Sequence, residues 1–126
     1  MHKSRLNGFI IDCQGADLGV AAAFWGAALG MRVESLPGTE GQRYARLFGP
    51  DENLHVEVQT VEHPSRVHLD IEADDVEAEV GRLEALGAKR LQKVRSWWVM
   101  EAPTGQRFCV VRKGSPDFAA LATEWR

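Results

Sequence analysis

The sequence predicts an α+β domain built from two βαβββ modules, which form a curved mixed sheet with helices on its outer face. A strand-like segment, a helix-like segment and three further strand-like segments follow each other twice along the 126 residues. The two helix-like segments also end alike, with LGMRV at 29–33 and LGAKR at 86–90. A repeat of about half the chain indicates a duplicated architecture. A helix after the first strand of each half places the helices on one sheet face.

Module one is expected over about residues 6–61 of a single domain that spans 1–126. Its predicted elements are a strand at 6–13, a turn at 14–17, a helix at 18–29, and strands at 32–36, 43–48 and 54–61. Asp17 is expected to cap the helix and Gly30 to end it. The helix is apolar throughout, so we expect the sheet to cover it, with Phe24 and Leu29 as core anchors.

Module two is expected over about residues 66–112. Its predicted elements are a strand at 67–72, a helix over DVEAEVGRLEALG at 75–87, and strands at 90–94, 97–101 and 107–112. Asp74 or Asp75 is expected to cap the helix, whose apolar residues recur at helical spacing. A short last helix is predicted over about 115–125, with Ser115 as its N-cap.

Two of the predicted strands alternate between apolar and polar residues, so each presents one face of each kind. In the strand at 54–61 the apolar residues are Leu54, Val56 and Val58, and the polar residues are His55, Glu57 and Gln59. In the strand at 67–72 the apolar residues are Val67, Leu69 and Ile71, and the polar residues are His68, Asp70 and Glu72. Polar residues on the concave face of a sheet indicate a ligand pocket or a solvated surface.

Composition excludes several classes of function. Apolar residues make up 44% and charged residues 26% of the chain, a balance typical of a folded globular protein. The formal charge of −3 comes without a basic block, so no nucleic-acid partner is expected. The uncharged run from Leu18 to Met31 is too short to span a bilayer, and MHKSRLNGF does not resemble a signal peptide. We therefore expect no membrane association and a cytoplasmic protein with two reduced cysteines.

Three segments carry a family resemblance that covers nearly the whole chain. They are FWGAALG at 24–30, RVHLDIEADDVEAEVGRLEALGA at 66–88 and WWVMEAPTGQRFCVV at 97–111. In this order they resemble the glyoxalase-like domain branch of the glyoxalase/bleomycin-resistance (vicinal oxygen chelate) superfamily. The resemblance implies the glyoxalase/bleomycin-resistance-like fold, a small-molecule ligand and a homodimer.

Metal-using members of that superfamily take four ligands, typically His, Glu, His and Glu, from the first and last strands of the two modules. Carried over to this chain, the first position falls near residues 8–11, where no histidine stands. The second is Glu57 or Gln59, the third is His68, and the fourth is Cys109 in place of a glutamate. We therefore expect no metal and no other cofactor. A zinc ion on His68, Glu57 and Cys109 is the alternative, because thiolate and imidazole suit zinc.

His68 and Glu57 are the candidate catalytic residues, as acid/base groups; the alternatives are a structural histidine and a solvated carboxylate. The candidate ligand-binding residues lie on or near the same faces and are Gln59, Asp70, Trp97, Trp98, Tyr44, Arg46 and Cys109. One of the two adjacent indoles faces the helices and the other the concave side, because successive strand residues point to opposite faces. Arg46 is a candidate partner for a ligand carboxylate, or else a surface arginine.

Three functions are compatible with these residues. The first is metal-independent binding or sequestration of a small molecule. The second is a lyase or isomerase that acts on a small oxygenated substrate through His68 and Glu57, with a divalent metal as an option. The third is an interaction role in which the dimer surface matters more than the pocket.

Overall fold

The computed structural model describes residues 1–15 and 17–126, and it confirms the α+β class with two runs of one strand, one helix and three strands. The strands are β1 (His2–Gln14), β2 (Arg32–Ser35), β3 (Tyr44–Phe48), β4 (His55–Val61), β5 (Arg66–Ala73), β6 (Lys89–Val94), β7 (Trp97–Glu101), β8 (Arg107–Arg112) and β9 (Thr123–Trp125). The helices are α1 (Leu18–Leu29), α2 (Val76–Ala85) and α3 (Phe118–Leu121), with a short 3-10 helix at Gly38–Gln42. Ala16, in the predicted turn at 14–17, lies outside the described residues.

The chain divides into two compact units, which share β1 between them. The N-terminal unit is Phe9–Val67, and the C-terminal unit is Met1–Gly8 together with His68–Arg126. Each unit contains one of the two runs of elements and has its own apolar core. That the chain forms a single domain stays a proposal.

In the N-terminal unit, β2, β3, β4 and β1 follow each other across the sheet. The pairs β2–β3 and β3–β4 are antiparallel. Apolar side chains of alternate residues pack beneath α1, and the fully buried ones are Leu47, Val56 and Val58. Asp17 accepts a hydrogen bond from the backbone N–H of Val20 at 3.1 Å and so caps the start of α1, as predicted.

In the C-terminal unit, β5, β8, β7 and β6 follow each other across the sheet. β5 and β8 are parallel, whereas β7 is antiparallel to both β8 and β6. α2 packs on one face of this sheet through Val80 and Leu83, which share a core cluster with Met100 and Val110. Asp75 caps α2 through a 3.0 Å hydrogen bond from the N–H of Ala78.

The predicted anchoring of α1 is wrong, because Phe24 and Leu29 are 61% and 45% exposed. The sheet is faced instead by the small residues Ala22 and Gly26, which are the buried members of the helix. A helix that is apolar on every side has no polar face to show which side is buried. The apolar pattern therefore predicts the presence of the helix but not its rotation.

The predicted helix over 115–125 is also wrong in extent. Only Phe118–Leu121 is helical, and the following residues form β9, which pairs antiparallel with β1. Trp125 holds this strand in place, since its Nε1 donates to Ser4 Oγ at 2.8 Å and the Arg82 guanidinium lies 3.7 Å from its ring centroid. Pairing with β1, which is distant in the sequence, decides this outcome.

Within the part of the chain that the structure describes, none of the helices combines the length and the apolar character needed to cross a membrane.

Candidate functional site

Three side chains with chemically useful groups lie together in the C-terminal unit. His68 and Asp70 share one face of β5, and the parallel register places Asp70 beside Cys109 of β8. The Nε2 of His68 lies 3.7 Å from Oδ1 of Asp70. One nitrogen, oxygen or sulfur atom from each of the three residues lies within 4.8 Å of the others. This is the face opposite to the one that α2 covers.

The register of β7 assigns the two adjacent indoles to different faces. Trp98 pairs with Val110 of the core, and its Nε1 donates to Glu77 of α2 at 2.9 Å. Val99 pairs with Cys109, so Trp97, which has the same parity as Val99, shares the face of Cys109. Trp97 is therefore the indole on the candidate face, and Trp98 belongs to the helix side.

Trp98 nevertheless lines a groove of about 710 Å³ beside the start of α2. Its wall also includes the charged residues Lys93, Arg112 and Lys113, and His68, Asp70 and Cys109 are not among its lining residues. The predicted cavity beside His68 stays a prediction.

Glu72 lies on the same face of β5 as His68 and Asp70, but its contacts indicate a structural role. Its carboxylate is fully buried and accepts hydrogen bonds from the backbone N–H groups of Gly114 at 2.7 Å and Ser115 at 3.0 Å. It also accepts from the hydroxyl of Ser115 and from Arg5 Nη1, the latter at 2.7 Å. Burial alone raises the pKa of Glu72, but these hydrogen bonds outweigh it and the pKa is lower than usual. Through these hydrogen bonds, the Glu72 carboxylate holds Gly114 and Ser115, which follow β8, in place.

The N-terminal unit presents a second polar face, on the side of β3 and β4 away from α1. The side chains on it are Tyr44, Arg46, Phe48, His55, Glu57 and Gln59. His55 Nε2 lies 2.7 Å from Glu57 Oε1, and Gln59 Nε2 donates to Tyr44 Oη at 3.1 Å. The predicted alternation of 54–61 is confirmed, since Val56 and Val58 are fully buried. His55 was predicted to lie on the polar face but was not among the predicted site residues. The structure places its imidazole in contact with the Glu57 carboxylate.

The two cysteines lie in different environments. Both thiols are free. Cys13 packs against the core of the N-terminal unit, and burial raises the pKa of its thiol, with the charge of Asp12 acting in the same direction. It is therefore a small apolar core residue. Cys109 is buried on the face that carries His68.

The predicted site residues other than Trp98 thus fall into two sets. His68, Asp70, Cys109 and Trp97 share a face of the C-terminal unit, and Tyr44, Arg46, Glu57 and Gln59 share a face of the N-terminal unit. Convergence of the two sets on one ligand stays a prediction.

The donor chemistry of the C-terminal set fits a divalent metal of the zinc type. Imidazole, carboxylate and thiolate all bind zinc. The structure adds Asp70 to the two positions, His68 and Cys109, that the resemblance already assigned to metal ligands. The strand-one position near residues 8–11 offers no imidazole or carboxylate.

Comparison with known proteins gives one family and a set of similar folds. The model of the family described as glyoxalase-like domain matches residues 8–111. A search of curated proteins finds no match.

Methylmalonyl-CoA epimerase from Mycobacterium tuberculosis has a similar fold at 18% identity and a TM-score of 0.64, covering 91% of this chain and 93% of that one. A glyoxalase/bleomycin resistance protein/dioxygenase superfamily member from Vibrio splendidus 12B01 is 18% identical with a TM-score of 0.55, covering 87% and 99%. A single-residue variant of Streptomyces coelicolor methylmalonyl-CoA epimerase, in complex with 2-nitronate-propionyl-CoA, is 16% identical with a TM-score of 0.59, covering 86% and 98%. At these identities the likeness is one of fold.

Proposed function

Because the chain belongs to the glyoxalase-like domain family, we propose that it binds a small molecule, without a resident metal, on the face formed by His68, Asp70, Cys109 and Trp97. The observation that carries this proposal is the register of β5, β8 and β7, which places these side chains on one face. A few polar groups beside an aromatic wall are the usual composition of a small-ligand site.

Each group on this face has a distinct use. Trp97 offers a flat apolar surface, and the imidazole of His68 offers a donor or an acceptor to an oxygenated ligand. Asp70 Oδ1 lies 3.7 Å from His68 Nε2, which places its carboxylate beside that ring. The proposed role of His68 is therefore direct contact with the ligand, and that of Asp70 is to position His68.

A thermal-shift screen of small oxygenated metabolites tests this function, because a ligand that binds the native state raises its stability. A hit is then titrated into the native chain and into His68→Ala, with His63→Ala as the matched control. His63 lies in a turn of the N-terminal unit, where its Nδ1 contacts Pro64 O at 2.9 Å. We expect His68→Ala to lose about tenfold or more in affinity and His63→Ala to bind as the native chain does. Equal affinity of all three proteins would reject the site.

A second candidate is an isomerase or lyase that uses a divalent metal, and the closeness of His68, Asp70 and Cys109 favours it. These three residues would hold the ion, which would supply Lewis-acid polarisation of a substrate oxygen. The epimerases of similar fold make an isomerase the nearer analogy within this alternative. Zinc retained by the native chain and lost by Cys109→Ser would favour it over metal-independent binding.

We also propose a homodimer in the cytoplasm. α1 exposes an apolar surface, with Val20 at 70% and Phe24 at 61% exposure, and exposed apolar surface of this kind is typical of contact sites. The two free thiols suit a reducing compartment. Sedimentation at micromolar concentration, compared between the native chain and Phe24→Lys, tests the dimer: a native monomer would contradict it.

A further inference from the structure

Arg46 on β3 is an arginine whose local partners are incomplete. Its side chain is half-buried, and its Nε is buried with no hydrogen-bond partner among residues 1–15 and 17–126. Burial lowers the pKa of its guanidinium, and the charges of Glu57 and Glu34 only partly oppose this. A buried donor without an acceptor costs free energy and calls for an explanation. One explanation is a bound ligand that supplies a hydrogen-bond acceptor from outside the chain.

The two acids that flank Arg46 both have a partner other than Arg46. The register places Glu34 of β2 on one side of Arg46 and Glu57 of β4 on the other. Glu34 nevertheless lies 2.8 Å from Arg32 Nη1, and Glu57 lies 2.7 Å from His55 Nε2. Among the contacts of the described residues, neither acid forms a salt bridge with Arg46. The guanidinium is therefore not paired in a salt bridge with either of the carboxylates beside it.

Phe48 orients this guanidinium. The Cζ of Arg46 lies 4.5 Å from the centroid of the Phe48 ring, and the Cζ of Arg32 lies 4.7 Å from the same centroid. Stacking on an aromatic ring fixes the plane of a guanidinium and leaves its N–H edge for in-plane acceptors. Arg46 is thus held in an orientation that suits a planar partner.

We propose that the face of the N-terminal unit around Arg46 is a carboxylate-binding site, with the Arg46 guanidinium as its anchor. A carboxylate is planar and matches the guanidinium fork with two parallel hydrogen bonds. A phosphate dianion fits less well, because Glu34 and Glu57 flank the site and would repel the additional charge. The proposal does not depend on the function proposed for the His68 face.

The test titrates benzoate and acetate into the full chain at constant ionic strength and follows amide shifts by NMR. Sulfate and phosphate at the same ionic strength report non-specific anion effects. For the native chain we expect saturable carboxylate binding with the largest shifts in β3 and β4, and weaker binding of the two other anions. No saturable carboxylate binding, shifts centred elsewhere, or tighter binding of sulfate or phosphate would each overturn the proposal.

Arg32→Gln is the matched control for Arg46→Gln, because both arginines stack on Phe48 and only Arg46 has the buried unsatisfied donor. We expect Arg46→Gln to raise the Kd for benzoate about tenfold or more, and Arg32→Gln to change it by less than about twofold. Equal losses in the two variants would reject Arg46 as the anchor. If Arg46→Gln fails to fold, Arg46→Lys decides: it keeps the charge, and the proposal requires it to lose most of the affinity because it lacks the planar fork.

Discussion

Asp70 and Cys109 stand side by side on the parallel strands β5 and β8. Their positions are almost forty residues apart in the sequence, and only the crossover through α2, β6 and β7 brings them together. With His68 two residues before Asp70 on the same face, they form a group whose potential ligand atoms all lie within 4.8 Å of one another.

The first prediction concerns metal content. We expect the purified chain to contain far less than one divalent ion per molecule, because the family's strand-one position near residues 8–11 provides no donor. Elemental analysis after purification without chelator measures this. About one zinc per chain, lost in Cys109→Ser, would instead establish the metal-dependent alternative.

The second prediction concerns Glu72. We expect Glu72→Gln to lower the free energy of unfolding by roughly 2–4 kcal/mol, because it removes a buried charge from Arg5 and disturbs the contacts with Gly114 and Ser115. Urea denaturation measures the change. Glu34→Gln is the control, since the ion pair of Glu34 with Arg32 is exposed and its loss should cost no more than about 1 kcal/mol. Similar losses in the two variants would contradict the structural role of Glu72.

The third prediction is a loss of stability in acid. Glu79 is fully buried. Burial by itself raises its pKa, but hydrogen bonds from Arg82, His2 and Ser4 make the pKa lower than its ordinary 4.5. The pKa of Glu72 is lowered in the same way. The unfolded chain therefore takes up protons first as the pH falls, so this stability is fully present above the unfolded-state pKa of these carboxyls.

This stability declines as the pH drops below about 4.5 and through the lower folded-state pKa values. Urea midpoints measured from pH 7 to pH 3 report the decline. In Glu72→Gln the slope in this window should be shallower, because one of the two linked carboxyls is gone. An unchanged slope would show that Glu72 is not linked to the acid transition.

The sequence predicted most of the fold because its strongest signals are local. Alternation in β4 placed Val56 and Val58 in the core and Glu57 on the opposite face, and the structure confirms both. The caps of α1 and α2 at Asp17 and Asp75 were also correct, since a cap depends only on the next three residues.

Apart from the rotation of α1, the errors involve partners distant in the chain. On β5 the structure reverses the usual burial, with Leu69 51% exposed and Glu72 fully buried. The reason is that Arg5, Gly114 and Ser115 enclose the carboxylate, and no local pattern shows this. Ser115 was predicted to cap a helix and instead binds Glu72. The grouping of Asp70 with Cys109 likewise depends on the parallel register of two separated strands.

The last prediction compares two glycines inside helices, Gly26 in α1 and Gly81 in α2. A Cβ on Gly26 would lie 2.7 Å from Val33 Cγ2 and 3.0 Å from the carbonyl oxygen of Met31, and the backbone carbonyl has little room to move. A Cβ on Gly81 would meet nothing within 4 Å. Alanine improves an exposed helix interior by about 0.5–1 kcal/mol relative to glycine, whereas overpacking a tight contact costs about 1–3 kcal/mol.

We therefore expect Gly81→Ala to stabilise the chain and Gly26→Ala to destabilise it, although both changes add the same methyl group to a helix. Thermal and urea unfolding of the two variants measure the sign of each effect. Because the helix propensity gain is common to both positions, the difference between them isolates the contact of α1 with Val33 and Met31. Stabilisation of both variants by the same amount would show that α1 does not approach these residues as closely as the structure places it.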